Sequence, residues 1–331
     1  GFTGMAYTEN SPVAAIGNGE NMFGIQFHPE VNHTPLGQDI LNNFLFKACE
    51  CKADWTPGNV VHDSIKNIQE QVGDGKVICA LSGGVDSGYL LAEAVGTLGE
   101  RATALTAVSP SLAPEEGADA KRLAEQLGAR HVLVDTYELD DARYTANPVN
   151  RCYFCKTEVY ARAVTEAGRL DTTHVLDGFN VDDRGDHRPG RLAAREQGVR
   201  SPLDELGFTK TDIREAARRL GLPVWNKPAL ACLSSRFPYG VAITPERLTR
   251  VATCERALRG LGFHVCRVRF HDTMARIEVE RDEIPRLKTS EVRDTVLRQF
   301  RDAGFDTVTV DPRGYRTGSL NEDLPILTPA F

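Results

Sequence analysis

The sequence predicts an α/β protein: a parallel sheet flanked by helices, followed by a smaller α+β domain. Three observations carry this. Val77–Leu81 is a short, wholly apolar run of buried-strand composition that turns through Ser82-Gly83-Gly84-Val85-Asp86-Ser87 into a helical stretch, Gly88–Leu98. Strand-like runs recur at Thr103–Val108, His131–Asp135 and His174–Asp177, with an amphipathic helix at Pro114–Leu127 that sets Leu123 and Leu127 on one face. Beyond residue 236, runs at Arg267–His271, Ala275–Val279 and Thr307–Val310 accompany a helix at Glu291–Arg301 and make a small α+β domain.

The chain has 331 residues, enough for two or three domains and an ample core. Charged residues at 26% and hydrophobic ones at 41% are ordinary for a soluble globular protein. A net charge of −7 argues against non-specific nucleic-acid binding, which needs a basic surface. No apolar run reaches transmembrane length, so no membrane partner is expected, and no signal peptide is read ahead of the fold. The chain opens at Gly1, without a methionine and already inside strand-like sequence, and reads as a fragment truncated at its N-terminus.

Gly24–His28 is a short apolar strand, followed by Glu30 and by a helix at Leu41–Phe46. His28 and Glu30 have the types of a base and its orienting carboxylate in a nucleophilic triad. Alone, a His-x-Glu pair is a weak signal, since most such pairs are surface polar residues. The wider stretches GFTGMAYTENSPVAAI and FGIQFHPEVNHTPLGQDILNNFLF resemble the last part of a class I glutamine amidotransferase domain. The nearest likeness is to GMP synthetase, and it extends through the linker CKADWTPGNVVHDSIKNIQEQVGDGKV. That resemblance makes His28 and Glu30 the triad's His and Glu. Cys49 and Cys51 follow them and do not match the nucleophile, so no glutaminase activity is expected. The expected divisions are an amidotransferase remnant over 1–54, a linker helix over 55–76, an ATP domain over 77–235 and an α+β substrate domain over 236–331. A remnant with so little core is expected to leave a sticky, poorly ordered N-terminal arm.

In the segment Ser82–Ser87 the glycines let the backbone turn sharply and leave room for a ligand. Ser82, Ser87 and the free amides at the helix start are suited to surround an oxyanion. The bland alternative is a structural turn between strand and helix. Two hydroxyls and a carboxylate interleaved with glycines favour anion binding, and the lysine of a GxxxxGK[ST] loop is absent. SGGVDS resembles the pyrophosphate loop of the PP-loop ATP pyrophosphatases, which have an adenine nucleotide alpha hydrolase-like fold. The resemblance implies ATP bound by Ser82, Gly83, Gly84, Val85, Asp86 and Ser87, with Asp86 helping to hold magnesium. Asp177 to Asp183 follow the third strand, where a nucleotide would lie; a polar loop is the plain alternative.

Arg151-Cys152-Tyr153-Phe154-Cys155-Lys156 contains a CxxC. The readings are a redox disulfide, a zinc half-site or two unrelated core cysteines. No second CxxC exists among the eight cysteines, and Cys232 is the remaining candidate partner. Three thiolates without a fourth protein ligand suit an iron–sulfur cluster with one open iron, though spacing alone leaves the alternatives open. Cysteine usage in an ATP-using α/β fold points to a reducing cytoplasm. Cys254 and Cys266 read as core residues.

From about Gly88 to the end the chain resembles the LarE-type ATP-dependent sulfur transferases. The matching stretches are TAVSPSLAPEE, ELDDARYTANPVNRCYFCKTEVY, DGFNVDDRGDHRPGRLAAREQGVRSPL, KPALACLSSRFPYGVAIT and RVRFHDTMARIEV. The resemblance implies adenylation of a carboxylate of pyridinium-3,5-biscarboxylic acid mononucleotide, then sulfur delivery, toward the nickel-pincer nucleotide. It implies a small-molecule nucleotide substrate, sulfide or another sulfur donor, and a homo-oligomer. It also implies a 4Fe–4S cluster on Cys152, Cys155 and Cys232, because this chain has Ala231 where the family's other type has a sacrificial cysteine. A sacrificial Cys232 is the alternative. Lys156 would neutralise phosphate or substrate; Asp183, Asp186 and Arg188 belong to the same segment pattern with roles unassigned.

Arg267 and Arg269, two apart on a strand, share one face and are suited to clamp a phosphate. The bland reading is a solvated edge strand. The resemblance favours the clamp and adds Ser235, Arg236 and Glu255 as phosphate or substrate positions.

The two likenesses meet within SGGVDS, which both families share in nearly the same wording. The expectation is an artificial or accidental in-frame join rather than a natural fusion. The competing functions are a GMP synthetase fragment aminating XMP, which gives the CxxC and the RVRFH strand no task, and an inactive nucleotide-binding module, which predicts ATP binding without pyrophosphate release.

Overall fold

The computed structural model describes residues 1–31, 34–52, 72–185, 189–228 and 231–316, in two compact units, Gly1–Ser64 and Ile65–Phe331. The linker helix expected over 55–76 lies mostly outside the described residues, as do Asp186 and Arg188.

In the first unit, β1 (Thr3–Thr8), β2 (Ser11–Gly17) and β3 (Phe23–Ile25) form an antiparallel sheet in that order, followed by α1 (Gly37–Asn43). The helix expected over 41–46 begins earlier, and its end widens into a π-helical turn at Phe44–Ala48. Among the described residues of this unit Ala14 is the one buried hydrophobic side chain, while Met5, Tyr7, Phe23 and Phe46 are exposed. The segment is therefore ordered into strands yet presents apolar surface, the sticky half of the sequence expectation.

The second unit opens with β4 (Val77–Ala80), α2 (Val85–Leu98), β5 (Ala102–Val108), α3 (Pro114–Gln126) and β6 (Arg130–Asp135). The short α4 (Ala142–Thr145), the long α5 (Arg151–Arg169) and β7 (His174–Leu176) follow. The sheet is fully parallel in the order β6-β5-β4-β7. The chain winds outward from β4 to β6 and then returns to the other side of β4. The switch point thus falls at the carboxyl ends of β4 and β7, where open α/β sheets bind ligands. Ile78 and Leu105 of the sheet pack with Tyr160, Ala163 and Ala167 of α5.

Beyond the sheet come α6 (Gly190–Glu196), α7 (Pro202–Glu205) and α8 (Lys210–Arg219). Thr209 caps α8 reciprocally with Asp212. Next are α9 (Pro245–Gly260), β8 (Cys266–His271), β9 (Met274–Val279), α10 (Ile284–Leu287), α11 (Ser290–Asp302) and β10 (Thr307–Val310). Their sheet runs β10-β9-β8, parallel between β10 and β9 and antiparallel between β9 and β8. Its apolar face, Val268, Phe270, Ala275 and Ile277, packs on Leu248, Val251 and Leu258 of α9 and on Phe300 of α11. Cys254 and Cys266 lie in this core as expected.

The helix after the glycine loop begins three residues earlier than the sequence pattern indicated. Gly84, extended at φ −87 and ψ 172, is its N-cap, so Asp86 and Ser87 belong to the first turn of α2. Apolar periodicity marks only where a helix meets the core, and Gly88 was the first residue after the polar stretch.

Candidate active site

Leu81 continues β4 by donating its amide to Leu105 at 2.8 Å, and Gly83 then takes φ +75, a conformation that a side chain resists. The Ser82 amide donates to Ser87 Oγ at 3.2 Å, and the two hydroxyls lie 3.1 Å apart. No side chain caps α2. Its first-turn amides, at the positive end of a 14-residue helix dipole, are arranged for an oxyanion. A Cβ on Gly178 would stand 2.7 Å from the Ser87 amide nitrogen, so only glycine lets the exit of β7 lie against this turn.

Asp86 forms an ion pair with Lys210 at the start of α8 and accepts from Asn180 Nδ2 at 3.2 Å. Asn180, fully buried, hydrogen-bonds the Asp182 amide through its Oδ1, and its own amide donates to Asp183 at 3.1 Å. Asp182 in turn accepts the Lys210 amide at 2.7 Å. Asp177 is saturated by Tyr160, Ser201 and the Phe179 amide, which makes it a structural anchor. The Lys227 ammonium donates to the Gly83 carbonyl at 2.8 Å and to Asp119 at 2.6 Å, bracing the loop from the far side.

Cys152 and Cys155 stand three apart at the start of α5, on one side of its first turn. Cys232 comes to them through a set of buried hydrogen bonds. Asn147, at φ +54 and fully buried, donates to Pro238 and Val241 carbonyls at 2.8 and 3.0 Å. Arg151 reaches Asn147 Oδ1 at 2.5 Å and the Ser234 carbonyl at 3.0 Å. The Tyr144 and Ser234 hydroxyls lie 2.6 Å apart, and the Leu233 amide donates to the Ser111 carbonyl at 2.9 Å. Burial first, then the Cys232 charge, pushes both Cys152 and Cys155 above the usual thiol range. Arg151 and Lys156 oppose the shift at Cys152; the sulfur is closely packed even though the residue's surface is exposed. Lys156 lies with its ammonium 5.2 Å from the Tyr160 ring centroid.

Among the described residues no three His, Cys, Asp or Glu side chains stand in reach of one metal ion. A single zinc on the CxxC therefore has no support. A 4Fe–4S cluster makes a different demand, because its thiolates bind different irons and do not converge on a point. The donor set, three thiols with Cys152 and Cys232 acting on the Arg151 charge, is of the type such a cluster takes.

Arg236, 2% exposed, makes a bidentate pair with Glu255 at 2.8 and 3.0 Å. It also donates to the Ala231 and Cys232 carbonyls at 2.7 and 3.3 Å and to Ser235 Oγ at 3.0 Å. Burial alone would lower this guanidinium; Glu255, by charge and hydrogen bond, overrides it and holds Arg236 above its usual range. Arg269 pairs likewise with Glu278 at 2.9 and 3.0 Å and donates to the Ser235 carbonyl at 2.7 Å. Arg267 stacks on Tyr315, 4.6 Å from its centroid. Burial, then Arg236, push it below the usual arginine range despite Tyr315, and Arg269 adds to the shift. Cations crowded to that degree favour an anion among them. β8 is an edge strand as the bland reading had it, yet its arginines are buried rather than solvated. Arg236 and Arg269 first shape the Ala231–Ser235 backbone; the crowding at Arg267 marks the anion-seeking spot.

Several residues of this region carry no signal in the sequence. Glu138, 2% exposed, accepts from Ser109 and Ser111 hydroxyls at 2.5 and 2.7 Å on Oε1, while its Oε2 has no partner. Its charge reaches Cys155 and Tyr144. Lys210 and Lys227 were likewise unmarked, because each acts on a loop more than ninety positions away in the chain. A groove lined by Thr253, Arg256, Ala257 and Gln299, between α9 and α11, contains none of the site residues.

In the first unit His28 Nδ1 lies 2.8 Å from Glu30 Oε1, with the side chains 77% and 59% exposed. The pair forms as the amidotransferase likeness implies, in open solvent.

Residues 1–48 match the class-I glutamine amidotransferase family and residues 61–152 the asparagine synthase family. The chain is 44% identical over 266 residues to an uncharacterized protein of Synechocystis sp., covering 80% of this chain and 99% of that one. It is 40% identical over 250 residues to the pyridinium-3,5-bisthiocarboxylic acid mononucleotide synthase of Lactiplantibacillus plantarum, covering 75% of this chain and 90% of that one. It is 34% identical over 252 residues to a glutamine-hydrolyzing GMP synthase of Dehalococcoides mccartyi, covering 69% of this chain but 47% of that one.

Proposed function

The chain belongs to the LarE-type family of ATP-dependent sulfur transferases, and we propose that it adenylates a carboxylate of pyridinium-3,5-biscarboxylic acid mononucleotide and transfers sulfur to it. The observation that carries this reading is the span from Lys227 to Arg236. Lys227 grips the Gly83 carbonyl of the phosphate loop, and Cys232, five residues on, faces the cysteines of α5. Five residues reach at most about 18 Å, so activation and sulfur delivery share one site.

The triphosphate lies against the first-turn amides of α2, with Ser82 and Ser87 as hydroxyl donors. Asp86 is the carboxylate for magnesium, which supplies charge neutralisation at the phosphates. Lys210, now paired with Asp86, is released toward the phosphates when that carboxylate takes a cation. The phosphate of the mononucleotide substrate falls to Arg267, with Ser235 as a further candidate. Adenylation turns a poor electrophile into an acyl phosphate ester whose leaving group is AMP.

Cys152, Cys155 and Cys232 would hold a 4Fe–4S cluster, which when bound would supply the sulfur. Arg151 and Lys156 keep positive charge beside the thiolates. The alternative, with Cys232 sacrificing its own sulfur, uses the same geometry.

The GMP synthase reading is weaker: the chain spans less than half of that enzyme, and Cys152, Cys155 and Cys232 have no part in amination. Anaerobic purification followed by incubation with ATP, magnesium and the biscarboxylate tests the proposal. The expected outcome is pyrophosphate release with a substrate mass gained by sulfur-for-oxygen exchange. Pyrophosphate release dependent on XMP and ammonia instead would overturn it.

A further inference from the structure

Glu116 opens α3 in its first turn and is 9% exposed, and its Oε1 is buried with no hydrogen-bond partner. Glu255 and Glu278 hold bidentate arginines, and Glu138, whose Oε2 is also without a partner, takes two serine hydroxyls on its other oxygen. An orphaned carboxylate oxygen in the interior costs free energy and calls for a compensating task.

Its surroundings point to that task. A Cβ on Gly83 would stand 3.0 Å from the Glu116 carbonyl, so the residue backs directly onto the phosphate loop. One turn on, Asp119 of the same helix takes Lys227, the brace of that loop. On the other side Arg236, the residue that holds the Cys232 carbonyl, acts on Glu116 more strongly than any other charge. Glu116 thus lies between the groups that seat the triphosphate and the segment that carries the sulfur.

We propose that Glu116 is the proton acceptor of the sulfur-transfer half-reaction. The inference rests on the sulfur-transferase reading above. A hydrosulfide, bearing one proton, attacks the acyl-adenylate carbon. The C–S bond forms, the C–O bond to phosphate breaks with its electron pair leaving on AMP, and the S–H proton passes to Glu116 Oε1.

Burial pushes this carboxyl up to about 7. The facing cations Arg236, Lys227 and Arg259 pull it down, and Glu255 pushes it further up. At neutral pH the group can both take and return a proton, the condition for efficient general-base work.

The test is single-turnover kinetics on the full chain from pH 6 to 9, following pyrophosphate release and thiocarboxylate formation separately. Wild type should show transfer rising through a midpoint near 7. Glu116→Gln should slow transfer at least about 100-fold more than it slows pyrophosphate release and erase that rising limb. Glu116→Asp, which keeps a carboxyl, should retain a limb. Transfer by Glu116→Gln at the wild-type rate with the limb intact, or equal losses in both half-reactions, would overturn the role of Glu116 alone. Should Glu116→Gln not fold, a Glu116→Asp variant that transfers without any limb would do the same. A wild type that releases pyrophosphate yet forms no thiocarboxylate at any pH would instead sink the sulfur-transferase reading, and this proposal with it.

Discussion

The Lys227 ammonium donates to the Gly83 carbonyl at 2.8 Å, tying the segment that carries Cys232 to the glycine loop after β4. The bond spans 144 positions of sequence. The pairing of an ATP loop with a sulfur-bearing turn therefore rests on few contacts, and each can be removed singly.

Asp86→Ala should lower pyrophosphate release by about 100-fold or more, because magnesium loses its carboxylate and Lys210 its partner. The Asp86–Lys210 pair is 25% and 30% exposed, so its loss should change stability by no more than about 1 kcal/mol. Pyrophosphate release and a thermal melt, measured on the same preparation, check both halves. Unchanged release would remove Asp86 from the site.

Cys232→Ala should abolish sulfur transfer while adenylation continues, since Cys232 lies on the sulfur side of the span from Lys227. Iron and sulfide assays after anaerobic purification separate the two sulfur sources. Loss of iron in Cys232→Ala and in Cys152→Ala marks the cluster. A colourless wild type whose mass falls after turnover marks a sacrificed Cys232.

Arg236→Ala should cost about 3 kcal/mol, because the fully buried Glu255 loses its bidentate partner and keeps only Arg259 and the Val268 amide. Arg236→Met with Glu255→Leu removes both charges and should lose much less. Urea unfolding of the three proteins measures the difference. Sulfur transfer should fail in both variants, since the Ala231 and Cys232 carbonyls lose their donor.

Glu116 makes stability depend on pH with a definite sign. Its folded value is raised from 4.5 to about 7, so the folded state binds the extra proton between those limits. The favourable contribution is complete below about 4.5 and is lost as pH rises through 7. Glu116→Gln, which mimics the protonated form, should match wild type near pH 4 and exceed it at pH 8 by on the order of 2–3 kcal/mol. Denaturant midpoints at the two pH values check this; a constant difference between the proteins would refute it.

Much of the fold and part of the site are legible in the chain itself. The strands of the two sheets of the second unit lie within a residue or two of where apolar runs put them, because burial on a sheet is a short-range pattern, whereas the strand read at Gly24–His28 in the first unit ends at Ile25. SGGVDS announces an anion loop, since its glycines and hydroxyls act within one turn. The CxxC spacing places Cys152 and Cys155 on the same side of α5 without reference to anything distant, and strand alternation sets Arg267 and Arg269 on one face. The helix start at Val85 was missed for the same reason that the rest succeeded: periodicity sees the core side of a helix, and the first turn of α2 faces ligand space.

What only the tertiary structure decided is which charged and polar groups meet. Cys232 joins the α5 thiols because Asn147, Arg151 and Tyr144 bind the backbone and side chains of residues 234–241. Lys210 finds Asp86, and Lys227 finds Gly83, from beyond the sheet. Arg236 and Arg269 read as phosphate ligands in the sequence, whereas in the fold they are first partners of Glu255 and Glu278. Glu116 reads as an ordinary acid in a helix's first turn, and only enclosure gives it a proton to hold near neutrality. The cause is common to all of these. Apolar patterning is set by neighbours in sequence, while the energy of a buried charge is set by its neighbours in space and by the water excluded around it.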